Sequence, residues 1–560
     1  MNAAATPLFE KRRSLIAFWL GCAAVTGGVL THVPMFLMGR YNHYVLAGMP
    51  MGAAMMWGMA AIVLGIALAG YGLLPRTRAV RGLPIEPIAP PENAPLSRRH
   101  WGVAALLALA LVIDIMKPAS LGFVTPGMRT EYSLTATLVA WLPLAALTGT
   151  AVGSFVWGTL ADLYGRRAAI LLSSVMFIGT SICGAMPSFW WNVAMCFLMG
   201  AAAGGMLPVA YALLAEIMPT RHRGWCLVLI GGVGAIGGFM AAAGFSALLQ
   251  PTFGWRIMWL LNFPTGLLLV LMSPILPESA RFLQQTGRAA EARAMLARFG
   301  VVASNDSVHN AEACGHGASA AAPSARRATP AAPASLIGVT AALTLTALTW
   351  SLVNFGVLLW LPSALVAEGQ SVAGASALIA RSTLIAAPIA LLSAWLYSRW
   401  STKGSLIIVI GLTVAGLLGV ALRAHGIGPF ASAAVDVTLL IVGSSGVIAI
   451  LLPYTAENFP LRVRGRATGW VAGCSKLGGL LAQVFSVVGV APPLALAAVA
   501  ISVPTAASLA LIAWYGRETR ARDLRELEVT PEPAVLEYGC EHAVADAANS
   551  APVKHTRAAG

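Results

Sequence analysis

Fourteen stretches of the chain, each about twenty residues or longer, are almost wholly apolar, and this leaves the fold less freedom than any other feature. A run of that length crosses the roughly 30 Å hydrocarbon core of a bilayer as one helix. A helix suits that medium because it satisfies its own backbone hydrogen bonds where no water is present. The runs cover residues 15–38, 44–74, 101–124, 135–160, 168–187, 189–215, 225–249, 255–276, 335–366, 373–397, 405–423, 430–456, 468–490 and 494–514. Composition agrees: 58% of residues are hydrophobic and 10% charged, against about 25% charged in soluble domains. A soluble enzyme or a disordered scaffold is excluded. The first run is too long for the apolar region of a signal peptide, lacks a clear small-residue cleavage site and is followed by a second run, so it is expected in the mature chain.

The net charge of +14 does not point to a polynucleotide. Its 36 Lys and Arg sit almost entirely in the short gaps between apolar runs, and they alternate in density. With the amino terminus taken as inside, 29 fall on one side, four (Arg40, Arg129, Arg256 and Arg423) on the other, and three (Lys117, Arg381 and Lys476) inside runs. By the positive-inside rule the richer side is cytoplasmic. The expectation is a multi-pass protein of the inner (plasma) membrane with both termini cytoplasmic, the basic excess facing anionic headgroups. The seven cysteines are odd in number, scattered and without C-x-x-C spacing, so neither a disulfide framework nor a zinc site is indicated.

The segments between runs divide the chain into residues 1–75, a pair of membrane helices; 76–99, a Pro-rich cytoplasmic linker; 100–276, a six-helix bundle; 277–334, a cytoplasmic central loop; 335–515, a second six-helix bundle; and 516–560, a disordered cytoplasmic tail. The stretch 301–334 is rich in Ala, Ser and Pro and has no apolar period, as expected of a flexible connection. An amphipathic stretch, 288–299, precedes it. The third to fourteenth runs are numbered core helices 1 to 12.

The chain repeats itself. E-x-x-P-x-R-x-R-G occurs as Glu216, Pro219, Arg221, Arg223, Gly224 and again, 241 residues on, as Glu457, Pro460, Arg462, Arg464, Gly465. Each copy falls where one run ends on the basic side and the next begins, which implies a duplicated six-helix unit. A second turn, Gly158-x-x-x-Asp162-x-x-Gly165-Arg166-Arg167, has a degenerate counterpart in Ala394-x-x-x-Ser398-Arg399-x-Ser401-Thr402-Lys403. The first copy resembles the signature of the major facilitator superfamily, and the resemblance runs over about 415 residues, from Trp101 to Trp514. It implies an all-α membrane protein with the major facilitator fold of two six-helix bundles, here carrying two extra N-terminal transmembrane helices, about 14 in total.

Pro277-Glu278-Ser279-x-Arg281-Phe282 and Gly254-Trp255-Arg256 are similar to motifs of the sugar porter, organic-acid proton symporter and synaptic-vesicle-glycoprotein-like branch. Where that family often has an arginine before F-L-x-G, this chain reads Cys196-Phe197-Leu198-Met199-Gly200. A coupling role for that arginine does not carry over. The family resemblance implies that Gly158, Asp162, Gly165, Arg166, Arg167, Glu216, Arg223, Glu457 and Arg464 form a network that closes the cytoplasmic side. Physically, Gly158 would let two backbones approach, Asp162 would face a helix amino terminus, and Arg166 and Arg167 would reach Glu216 or Glu457 with forked donors. The plainer reading makes these positive-inside charges only, and it suits Arg167 best.

Asp114 lies thirteen residues into core helix 1, about 20 Å deep at 1.5 Å per residue. A carboxylate there costs roughly 2.5–3.5 kcal/mol to insert and marks a proton relay, a pathway or an ion pair. It is the expected proton-coupling residue. The structural alternative is an ion pair with Lys117, one helical turn on. Arg381 and Lys476, some eight residues into their spans, make with Lys117 three buried cations, an excess that an anionic substrate would neutralise. Arg381 has the fork that suits a carboxylate; Lys117 could instead snorkel outward, and Lys476 could pair with a carbonyl. Asn354 beside Phe355, Tyr211 and Tyr454 fall on helices that line the central cavity in the family, and each is equally a packing or interhelical hydrogen-bonding residue.

Met35, Met38, Met49, Met51, Met55, Met56 and Met59, with His32 and His43, raise a copper(I) reading. Without a repeated short spacing, packing is the better account. His309, Cys314 and His316 make an equally weak metal site. No metal and no cofactor is expected. No phosphate-binding loop is evident, and no nucleophile, base and orienting group stand together, so an enzyme is not indicated. The expected function is secondary active transport: proton-coupled uptake of a small organic anion, an aromatic or aliphatic carboxylate, by alternating access in a monomer. The partners are substrate, protons and the lipid bilayer, with no nucleic acid. The alternatives are a proton-antiport exporter of a drug or metabolite, against which the absent proline of G-P-x-x-G-G before Gly237-Gly238 argues, and a non-transporting membrane sensor.

Overall fold

In the computed structural model the residues described are 12–74, 95–301, 336–424, 426, 433–459 and 461–520. Thirteen helices among them are long and apolar enough to cross a membrane, and a fourteenth is a shorter apolar helix. In order they are α1 (Arg12–Asn42), α2 (Ala53–Leu73), α3 (Arg98–Glu131), α4 (Ala136–Tyr164), α5 (Arg166–Ala185), α6 (Phe189–Ile217), α7 (Arg221–Phe253), α8 (Ile257–Leu271), α9 (Ile337–Ala367), α10 (Val372–Arg399), α11 (Thr402–Arg423), α12 (Ala433–Asn458), α13 (Val463–Val488) and α14 (Leu494–Tyr515). Core helices 1 to 12 are α3 to α14. The linker before α3, the Ala/Ser/Pro-rich stretch with His309, Cys314 and His316, and the tail with Cys540 lie largely or wholly outside the described residues.

The two halves pack by one scheme. In the first, α3 lies on α7, α4 on α6 and α5 on α8; in the second, α9 lies on α13, α10 on α12 and α11 on α14. The duplication read from the E-x-x-P-x-R-x-R-G turns is therefore a duplication of helix packing. The halves meet where α7 packs on α10 and α12, α3 on α9, and α4 on α13.

Two expectations of length change. Core helix 1 runs from Arg98 to Glu131 rather than 101–124, with Pro118 and Pro126 inside it. Proline removes one helical hydrogen bond and clashes one turn back, but helices buried on several sides re-satisfy the freed groups. Core helix 6 is shorter than 255–276: it breaks into Ile257–Leu260 and Asn262–Leu271. The amphipathic stretch is helical over Ala289–Arg298, buries Ala292, Met295 and Leu296, and docks on the start of α3 through Arg99 and the Phe299–His100 ring contact.

Glycine brings helices together, though not at the position expected. A Cβ on Gly158 would meet nothing within 4 Å, so the signature glycine does not make the close contact assigned to it. The close crossing is that of α4 with α6, where Cβ atoms added at Gly149, Gly153, Gly200 and Gly204 would stand 2.0, 2.2, 1.9 and 2.2 Å from backbone oxygens of the partner helix. The extra pair crosses likewise: Gly21 and Gly28 of α1 meet the backbone of α2, and Gly58, Gly65 and Gly72 meet α1. This pair lies on α5, with Val25, Ile62 and Ile66 beside Gly179. It explains why nearly every residue of Arg166–Thr180 is buried.

The α1–α2 connection is fastened to the core. The Glu131 carboxylate accepts from the amides of Leu46 (2.8 Å) and Ala47 (3.0 Å), from Trp255 Nε1 (2.7 Å) and from the Arg256 guanidinium (2.6 Å). Arg256, with no exposed surface, also donates to the Met186 carbonyl and to the Tyr132 hydroxyl. Met35, Leu46 and Met55 form a small buried cluster, with Met49 and Met51 against it. The methionines there are packing material for the connection.

Candidate functional site

The signature turn is a helix amino terminus capped by a carboxylate, and that carboxylate is Glu278, not Asp162. Gly165 has φ +100°, and Glu278 lies against it, leaving no room for a Cβ. Glu278 Oε1 accepts from the amides of Arg166 (2.9 Å), Arg167 (3.3 Å) and Ser279 (2.9 Å), where the orphan amides and helix dipole favour an anion. Burial pushes the Glu278 carboxyl above its ordinary range, against these amides and Arg167, which pull it down. Asp162 is largely exposed and stands 3.3 Å from Arg166.

Of Glu216 and Glu457, the two carboxylates expected within its reach, Arg166 stands 3.3 Å from Glu216, and the Ser279 hydroxyl donates to Glu216. Arg167 is buried and donates to the Ser273 carbonyl at 2.9 Å, so it is more than a topology charge. Arg223 donates toward the Met218 carbonyl, and Arg464 toward that of Phe459. Glu457 accepts from the hydroxyls of Tyr397 (2.6 Å) and Thr519 (2.7 Å) in its own half and feels the field of Arg464, while its Oε1 lies against Gly224 of the first half.

The second half copies this arrangement with residues that the sequence reading left in a disordered tail. Glu518, 240 residues after Glu278, accepts from the Thr402 amide (2.9 Å), the Thr402 hydroxyl (2.6 Å) and the Ser401 hydroxyl, and so caps α11 as Glu278 caps α5. Thr519 bonds Glu457 as Ser279 bonds Glu216. The signal was present as Glu-Ser after one half and Glu-Thr after the other, 240 residues apart and one short of the 241-residue offset of the repeated turn. Burial alone would raise the Glu518 carboxyl, but these donors outweigh it and hold it down at about 2. Tyr454 belongs to the same end of the fold, fully buried, with its hydroxyl on the Arg517 carbonyl at 2.7 Å.

Midway along the core, Asp114 is 6% exposed and its Oδ1 has no hydrogen-bond partner. Lys117 is buried as well, but it forms no salt bridge with Asp114. Its Nζ stands 2.8 Å from the centre of the Phe177 ring on α5, without a hydrogen-bond partner. Neither the short-range pair nor outward snorkelling describes it. Lys476, half-buried on α13, lies 5.6 Å from the Phe355 ring, and Asp114 feels the fields of both lysines. Charges from the two halves thus face each other across the seam.

Arg381 differs from its expected setting. It is exposed on α10, in line with the exposed Leu384 and Ile385, and is not a buried cation. Asp436 pairs with Arg423 at 2.9 Å, and Arg423 also binds Glu368. Asn354 lies in a π-helical turn, Val353–Val357, with the Ser444 hydroxyl 3.5 Å away; such turns recur at functional sites. Tyr211 is buried against Gly231, its hydroxyl without a partner.

Between the halves, at the end of the fold away from Arg166 and Glu457, opens a cavity of about 770 Å³. The end of α3, the start of α4, the end of α9 and the loop from α13 to α14 line it. None of Asp114, Lys117, Lys476, Arg381, Asn354, Tyr211 and Tyr454 does.

Two similarly packed six-helix bundles with a cavity between them and buried charge at their seam are the architecture of a secondary membrane transporter. Residues 106–483 match the family model of the Major Facilitator Superfamily, and the chain belongs to that family. It is 26% identical over 406 residues to the niacin transporter NiaP of Acinetobacter baylyi, which covers 70% of this chain and 88% of that one. It is 27% identical over 415 residues to a gallate transporter of Pseudomonas putida, with 70% and 86% covered. The proton:xylose symporter XylE, solved with 6-bromo-6-deoxy-D-glucose, shares the fold at TM-score 0.61 and 17% identity, over 78% of this chain and 99% of that one. The transporter expectation, its branch and its fold are borne out.

Proposed function

We propose that this protein imports a small organic anion, an aromatic or aliphatic carboxylate, together with protons. The observation that carries the reading is Asp114: a buried carboxyl with an unpartnered oxygen, flanked by Lys117 of its own half and within the field of Lys476 of the other. Two cations against one carboxyl leave a positive excess at the seam, which a carboxylate substrate neutralises. A proton on Asp114 would tune that balance as the halves rock. Two relatives carry niacin and gallate in their names, acids of this size and charge.

In this reading the basic face is cytoplasmic, the membrane is the plasma membrane and the working unit is a monomer. Asn354 and Tyr211 take the polar positions beside the substrate. The Glu278–Arg166–Glu216 and Glu518–Thr519–Glu457 sets are the cytoplasmic gate, with Asp162, Gly165, Arg167, Arg223 and Arg464 supporting them. Each set ties its own half together through Glu216 or Glu457, and Glu457 also lies against Gly224 of the first half, a contact that opening of that face separates.

The test is purified protein in liposomes loaded with a pH-sensitive dye. Proton entry is recorded as benzoate, nicotinate, xylose or a cationic drug is added outside. Proton entry with a carboxylate alone is expected, and Asp114→Asn should abolish accumulation while leaving exchange. Unchanged accumulation in Asp114→Asn would remove that residue as the coupling site.

A further inference from the structure

The cavity at the far face has the makings of a ligand site separate from the seam charges. Of the residues lining it, Arg129 alone is charged. It sits exposed on the last turns of α3, and among the described residues no carboxylate lies within salt-bridge distance of it. The nearest acid in sequence, Glu131, is already filled by Arg256, Trp255 and the two amides of the α1–α2 connection.

A second polar group stands at the inner border. Gln483 of α13 has no exposed surface; its Nε2 donates to the Phe355 carbonyl, and its Oε1 has no partner. An amide oxygen buried without a donor is costly, about 1–3 kcal/mol, and a ligand hydroxyl or N–H would relieve it. Between Arg129 and Gln483 the wall is largely apolar, with Trp360, Val139 and Leu494, and carries the hydroxyls of Ser363 and Ser486. The volume falls within the range of small-molecule pockets, about 300–1,000 Å³.

We propose that this cavity is an outer binding station for an aromatic or similarly compact carboxylate. Arg129 takes the carboxylate, the apolar wall takes the body, and Gln483 Oε1 accepts from a hydroxyl or N–H at its far end. The proposal rests on the import reading above, which makes this the external face. Both halves line the cavity, so rocking that closes the outer face would dismantle the station and drive its occupant inward. Gln483 also links the station to the seam. The carbonyl it holds belongs to Phe355, in the π-helical turn, whose ring faces Lys476. The consequence is a two-step entry in which anions are selected before they reach Asp114.

The test places a thiol in the station by Ser363→Cys and labels it in right-side-out vesicles with membrane-impermeant methanethiosulfonates. The five cysteines in the described residues are buried, and the unmodified chain gives the background. The anionic sulfonatoethyl reagent should outpace the cationic trimethylammonium reagent at least threefold, relative to a free small thiol. Arg129→Gln should erase that preference and raise the KM of benzoate uptake severalfold. Benzoate and 4-hydroxybenzoate should both slow labelling, and Gln483→Leu should weaken protection by 4-hydroxybenzoate while sparing protection by benzoate, which also shows that this variant is folded. Uptake of benzoate without protection, or a labelling ratio indifferent to Arg129→Gln, overturns the station and leaves the import reading standing. Protection without uptake of either acid keeps the station and overturns the import reading.

Discussion

Replacing Glu131 by alanine should free the connection between α1 and α2. Its carboxylate takes the amides of Leu46 and Ala47 at 2.8 and 3.0 Å, each a charge-assisted hydrogen bond. At about 1.5–3 kcal/mol apiece, the two hold the loop by roughly 3–6 kcal/mol. Every 1.4 kcal/mol is a factor of ten, so removing them should speed hydrogen exchange of these amides by about 100-fold or more. The same change strands Arg256, which has no exposed surface. Losing one member of a buried pair costs about 3–5 kcal/mol, so thermal stability should fall too. The assay is hydrogen exchange with mass spectrometry on purified protein, following peptides over residues 44–52. Glu131→Gln, which keeps one acceptor, should fall between the two. Unchanged exchange of those peptides in Glu131→Ala would refute the reasoning, because the loop would then be held by packing of Tyr44 and Leu46 and by the Gly48 amide on the Pro187 carbonyl.

Three further outcomes follow from the geometry. Leucine at Gly200 must push α4 from α6, since even a Cβ would stand 1.9 Å from the Ala146 oxygen; the fraction eluting as a monodisperse species should drop sharply, whereas Gly158→Leu, in open space, should be tolerated. The Glu518 carboxyl is held down at about 2, below the ordinary carboxylate value of about 4.3, so its contribution to docking of residues 516–520 is present above that ordinary value and is lost as pH falls through 2; limited proteolysis after Arg517 should accelerate across that window and not between pH 6 and 8. Ser279→Ala and Thr519→Ala should act alike, each shifting transport kinetics without loss of expression, because they occupy equivalent positions on Glu216 and Glu457; a large effect from one and none from the other would break the equivalence.

The sequence alone determined that the chain crosses a membrane about fourteen times and that it is built from two copies of one six-helix unit; it left Arg166 open between Glu216 and Glu457. These follow from one-dimensional signals: apolar run length, charge sidedness and a repeat offset. Bulk transfer energetics do not depend on which helix touches which. The tertiary structure decided the rest. It moved the helix cap from Asp162 to Glu278, which is 116 residues from it in sequence and therefore invisible to local capping rules. It turned Lys117 to Phe177 rather than Asp114, a choice between neighbours on one helix that depends on what the next helix presents. It left Arg381 on an exposed stripe, because depth along a helix follows from counting residues but azimuth follows from packing. It wrapped α5 with the extra pair, through glycines whose value lies in the backbone they meet. And it joined Arg129, Gln483 and Trp360 around one cavity, from three segments that no spacing in the chain connects.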